Sequence, residues 1–154
     1  MLHRTPNRRK SRTMNIHGCW ILDTCTISFS DNRPERHPFQ KGMISYHPNG
    51  YMQACLSVHP PIKLSTNDLE KGFALSIDEK ARCFDQFLSY AGTYTVDQQC
   101  VFHHVQQSLN PSIVGQTLKR EYRLQQHRLS LSYTYVVRPS LSCQYSLHWL
   151  RMKD

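Results

Sequence analysis

The sequence predicts an all-β fold, an eight-stranded antiparallel up-and-down barrel with one flanking α-helix. Three observations point to it. Short stretches rich in β-branched and aromatic residues recur along the chain with turn residues between them. An Asn-Gly pair joins two of these stretches, and only one segment shows helical spacing. Strands joined in order by short turns close most simply into a barrel, because a flat sheet leaves two long unpaired edges. Eight strands leave room for packed side chains or one small ligand.

A chain of 154 residues fits a single domain. Its first stretch, "MLHRTPNRRKSRT", is polar and acid-free, so residues 1–14 are expected to form a disordered basic tail ahead of a barrel domain over 15–154. Of the formal charge of +8, Arg4, Arg8, Arg9, Lys10 and Arg12 account for five, leaving +3 for the body. The remaining basic residues are scattered, so no phosphate groove is expected and nucleic acid is not a partner. There is no apolar signal core and no 18-residue apolar run, which points to the cytoplasm and to no membrane. Six dispersed cysteines without a C-x-x-C pair read as free, mostly buried thiols in a reducing compartment.

The first strand is read in "CWILDTCTISFS" (Cys19 to Ser30), ending at the loop "DNRPERHP". "GMISYH" and "YMQACLSV" flank the turn "PNG" and form a hairpin, because Asn-Gly supplies the positive φ a tight turn needs. After the loop "VHPPIKLST", the spacing predicts a helix over "SIDEKARCFDQFLSYAG". Ser76 and Glu79 make a capping box, Gly92 sits as a C-terminal cap, and Ile77, Ala81, Phe84, Leu88 and Ala91 share one apolar face. Strands resume at "TYTVD", "CVFHHVQQS", "GQTLKREYRL", "LSLSYTYVV" and "CQYSLHWLR". In the fourth of these, Leu129, Leu131, Tyr133 and Tyr135 alternate with Ser130, Ser132 and Thr134.

Several motifs carry a resemblance. Gly18-Cys19-Trp20 looks like the lipocalin Gly-x-Trp signature, and Arg151 ends the last strand, where the resemblance implies that it stacks on Trp20 and plugs one end of the barrel. "ISYHPNGYMQA", "EKARCFDQFLSYAGTYTVD", "VFHHVQQSLNPSIVG" and "RLSLS", in that order, resemble the compact intracellular lipocalin-like domain family of bacteria and fungi. Its members share a Y-x-P-x-G-x-M hairpin, a helix ending Y-A-G-x-Y, and an H-H-V-E-x-S strand followed by P-x-x-V-G. The match runs from about Gly18 to Arg151. It implies a small-molecule cavity, and relatives in fungal natural-product pathways imply cofactor-free cyclase or isomerase chemistry.

"FHHVQQS" is the most chemically suggestive stretch. Neighbouring strand residues point to opposite faces, so His103 and His104 cannot share a metal without a bulge, and no third ligand stands at metal spacing. No metal, nucleotide or other cofactor is expected. If His104 faces the lumen, Phe102, Gln106 and Ser108 go with it; if His103 does, Val101, Val105, Gln107 and Leu109 accompany it. Apolar counting favours the second arrangement for a solid core, whereas a ligand cavity favours the first, because it places polar groups beside an aromatic wall, and the first is the one expected here. The bland alternative is a histidine satisfied by a tyrosine or backbone partner. Gln106 stands where the family pattern often has Glu, so it can orient a ligand but cannot act as a base.

Alternation adds Tyr46, Met52, Tyr122, Tyr135 and Arg120 to the lumen candidates. The expected machinery is His104 moving a proton while Arg120 and Tyr133 polarise a carbonyl. Tyr46, Met52, Phe102, His103, Gln106, Tyr122 and Tyr135 complete the binding wall. The function expected from these residues is cofactor-free isomerisation, cyclisation or dehydration of an oxygenated apolar biosynthetic intermediate. The alternative is a carrier that binds such a molecule unchanged, as a monomer or homodimer.

Overall fold

The computed structural model describes residues 15–153, so the expected basic tail lies outside the described residues. Eight strands form a closed barrel: β1 (Gly18–Phe29), β2 (Lys41–Tyr46), β3 (Tyr51–Ser57), β4 (Phe87–Val96), β5 (Cys100–Ser108), β6 (Thr117–Gln125), β7 (Arg128–Arg138) and β8 (Leu141–Arg151). Each strand pairs antiparallel with its neighbour in sequence, and β8 returns to β1. Closure leaves no strand edge unpaired. At one end the connections β2–β3, β4–β5 and β6–β7 are tight turns, while the long segments 30–40 and 58–86 lie at the other.

The single α-helix, α1, spans only Ile77–Asp85. Its start follows the expected chemistry. The Ser76 side chain accepts from the Glu79 amide, and the Glu79 carboxylate accepts from the Ser76 amide. Its end does not, because from Phe87 onward the chain pairs with β3, from Ser57↔Phe87 to Tyr51↔Thr93. Tyr90, Gly92 and Tyr94 turn inward on alternate positions, so the helical spacing read through Leu88 and Ala91 is overridden by strand pairing. Nor does α1 add to the buried core: none of its residues is buried and Ile77 is 88 % exposed, although Cys83 and Phe84 line an apolar groove with Leu75, Phe87 and Leu109.

Gly92 is therefore no helix cap. It faces a bulge in β5, where Gly92 pairs with Val105 and Ala91 with Gln107, leaving Gln106 as the extra residue. A Cβ on Gly92 would stand 2.0 Å from the His104 carbonyl oxygen. A second bulge in β1, between Leu22 and Thr24, returns Cys25 and Ile27 to the inside after the exposed Asp23.

The core fills the end with the tight turns. Trp20, Tyr46, Val101, Leu129 and Trp149 are almost fully buried there and in the barrel centre. The Arg151 guanidinium lies 4.1 Å from the centre of the Trp20 ring. It also donates to the carbonyls of His17 and Asn15, while the Trp20 indole donates to the Ile16 carbonyl at 2.9 Å. The clasp expected from the first and last strands is thus present. All six cysteines are free thiols: Cys25, Cys100 and Cys143 are buried, Cys55 and Cys83 half-buried, and Cys19 exposed.

Candidate functional site

The centre of the barrel holds a row of three polar rings. On β5, Val101, His103 and Val105 face inward, leaving His103 1 % exposed. Its Nε2 lies 2.8 Å from the Tyr46 hydroxyl and its Nδ1 2.9 Å from the Tyr90 hydroxyl. Burial, then the charge of Arg120, then His104, hold the His103 pKa down to about 3 from 6.5, so the ring is neutral. A neutral imidazole has one donor and one acceptor. The row therefore carries three hydrogens for two internal bonds, and one phenol hydrogen is left to donate elsewhere. Burial pushes the Tyr46 and Tyr90 phenols up, so both keep their protons; Arg120 opposes the rise at each.

Next to this row, the Arg120 guanidinium sits 3.9 Å from the centre of the Tyr133 ring, which stacks on Tyr145 at 4.6 Å and 5°. Tyr133 and Tyr145 face each other across β7 and β8. Burial again keeps the Tyr133 phenol protonated. Trp149, 2 % exposed, completes the wall, and its indole Nε1 is buried without an acceptor. Tyr90, His103, Arg120, Tyr133, Tyr145 and Trp149, with apolar neighbours, line a cavity of about 90 Å³, while Tyr46 meets it only through His103. Every lining residue but Phe39 comes from a strand, and none is Asp or Glu. No group of three or more potential metal ligands occurs among the described residues.

A family model for the lipocalin-like domain matches residues 17–152. The chain belongs to the lipocalin-like domain family. No curated protein matches it. The family's architecture, a closed barrel around an apolar and aromatic lumen, suits a small ligand. No helix among the described residues is long and apolar enough to cross a membrane.

Within this lipocalin-like barrel the expected site residues separate into two groups. Tyr46, His103, Arg120 and Tyr133 converge around the centre. His104 does not, because it points outward and its ring nitrogens meet Thr117 Oγ1 at 2.9 Å and Thr95 Oγ1 at 3.1 Å. The expectation of a lumenal His104 is thereby overturned. The lumen is narrow and closely packed, so it takes the oilier register with Val101 and Val105. Phe102 shares the outer face of His104 and is half-buried there. Gln106, on the bulge, is exposed.

The remaining candidates are on the inner side of the lipocalin-like barrel but away from the cavity. Met52 is buried core packing. Tyr122 packs on the core near the tight-turn end, where its hydroxyl donates to the Asp97 carbonyl at 3.2 Å. Tyr135 keeps the phase of Leu129, Leu131 and Tyr133, yet β7 has left the core by that height and Tyr135 is 58 % exposed. Among the lining residues not expected at the site, three carry a ring with a hydrogen-bonding group: Tyr90, Tyr145 and Trp149. Tyr90 was hidden inside the overlong helix. Tyr145 and Trp149 were legible, since Cys143, Tyr145, Leu147 and Trp149 recur with the period-two spacing of a strand.

Proposed function

We propose that this lipocalin-like barrel binds one small oxygenated organic molecule in its lumen and holds it, unchanged, through hydrogen bonds to a ligand oxygen. The supporting observation is the cavity of about 90 Å³ into which an aromatic wall and several hydrogen-bond donors converge. That volume equals about three waters, below the roughly 300 Å³ at which drug-sized sites begin. A ring of five or six atoms, or the end of a longer molecule entering past Phe39, matches it.

Cyclopentanone is a suitable neutral probe, followed by NMR of the Trp149 indole N–H and the His103 ring. Both signals are expected to shift on titration, and the Ala54→Phe variant, which fills the lumen beside them, is expected to abolish the effect. Saturating probe that leaves both signals unmoved, or shifts only outer-face residues, defeats the reading.

A second reading, a cofactor-free isomerase, cyclase or dehydratase of a biosynthetic intermediate, draws on the Tyr46–His103–Tyr90 row beside Arg120. A phenol hydrogen and a guanidinium at a carbonyl oxygen stabilise the enolate that such reactions pass through. It ranks second because His104, the expected proton mover, is outside the barrel, and His103 resists protonation. Deuterium entering the carbons beside the cyclopentanone carbonyl faster with the wild type than with Arg120→Leu would favour it. Equal rates remove it.

A further inference from the structure

We infer that the lumenal ligand presents an anionic oxygen, a carboxylate or an enolate, to Arg120, Trp149 and the spare phenol hydrogen of the Tyr46–His103–Tyr90 row; the inference rests on the lumenal binding reading above. The argument is an imbalance of donors over acceptors. Arg120 carries five N–H donors and a permanent charge. It donates to the Lys119 carbonyl at 3.0 Å and reaches the Tyr90 phenol oxygen, which still leaves most of its N–H groups without a protein acceptor. The ion pairs among the described residues are Arg33–Asp31, Lys71–Asp68 and Arg82–Asp78, none of them involving Arg120.

The same sign of mismatch recurs at each polar group of the wall. The Trp149 indole is a donor only, and it is buried without an acceptor. The ring row leaves one phenol hydrogen over, and with the proton on His103 Nδ1 it is that of Tyr90, the phenol of the row that lines the cavity. Both imidazole nitrogens are already engaged, and no carboxylate lines the cavity. A neutral alcohol brought here would find donors for its oxygen but a poor acceptor for its own hydrogen. A cation would meet Arg120. A carboxylate brings about four acceptor sites and the missing negative charge, so it satisfies all three groups at once.

The test uses an isosteric pair small enough for the lumen, 2-furoate and 2-furamide, titrated into the full-length protein with the Trp149 indole N–H as the NMR readout. The wild type is expected to bind furoate at least tenfold more tightly than furamide. Arg120→Leu should erase that preference by weakening furoate alone, Arg120→Lys should restore part of it, and Trp149→Phe, followed at the His103 ring signals instead, should weaken furoate several-fold. Equal or tighter binding of furamide by the wild type overturns the anionic ligand and leaves the lumenal site standing. A furoate preference untouched by both Arg120 substitutions also overturns the assignment. If neither probe nor cyclopentanone moves the lumenal signals, the binding reading falls together with this one.

Discussion

His103 commits both ring nitrogens to phenols in a buried place, and this ties folding to its protonation state. In the fold the ring stays neutral down to about pH 3, whereas in the unfolded chain it takes a proton below about 6.5. Its contribution to stability is therefore whole above pH 6.5 and is lost as pH falls from there toward 3, by on the order of 1 kcal/mol per pH unit. His103→Gln keeps a donor and an acceptor for the two phenols but cannot titrate. Urea unfolding from pH 7 to pH 5 should accordingly show a shallower loss for this variant than for the wild type, and identical slopes would remove the neutral buried ring. Gly92 sets a second limit at the same scale. Gly92→Ala puts a methyl group 2.0 Å from a backbone oxygen that cannot step aside, so a loss above about 2 kcal/mol is expected. Gly50→Ala meets open space and pays only for its positive φ, so its urea midpoint should fall by about half as much or less. The sequence reduced the two histidines to one inside and one outside by alternation alone. Which one goes inside depends on how tightly the opposite wall packs, and that is a property of eight strands together.

At the scale of elements, the start of α1 was readable and its end was not. Ser76 and Glu79 form a local device that needs no partner. The stop at Asp85 is imposed by β3, more than 25 positions earlier in the chain, which competes for the backbone from Phe87 onward. The bulges at Gln106 and Asp23 were hidden for the same reason, since a single strand does not reveal where its neighbour skips a residue. Because α1 buries none of its residues, its stability is local. Ser76→Ala should speed amide exchange across Glu79 to Asp85 by about fivefold, the effect of a cap worth about 1 kcal/mol. The same change should leave the global urea midpoint within error, as should Ile77→Lys. A cooperative drop in global stability from either would mean that the helix is part of the barrel's folding unit.

At the scale of the whole molecule, the chain is sealed where its first and last strands meet. Arg151 stacks on Trp20 and donates to two carbonyls of the segment before β1, joining residues 136 positions apart. Arg151→Leu removes the stacking and both hydrogen bonds, an expected loss of about 2–3 kcal/mol by urea unfolding. Arg151→Lys should recover less than half of it, because an ammonium lacks the planar fork that reaches both carbonyls. This seal was legible in advance because Trp and Arg are rare, distinctive side chains at the two ends of the pattern. The lumenal chemistry was less so, since Tyr, His and Arg serve as wall and as site with the same spacing.

The seal has a further consequence for connectivity. Asn15 and Arg151 are within one side chain's reach, so a short Gly-Ser linker can join the beginning of the barrel to its end. New termini then belong in the turn Pro48–Gly50, which lies between β2 and β3 and is outside either strand. A circularly permuted chain of this order is expected to give the same barrel, with the Trp149 indole resonance and urea midpoint close to those of the parent. Covalent order would then be a convenience of this fold, while the ring of strand pairings determines it.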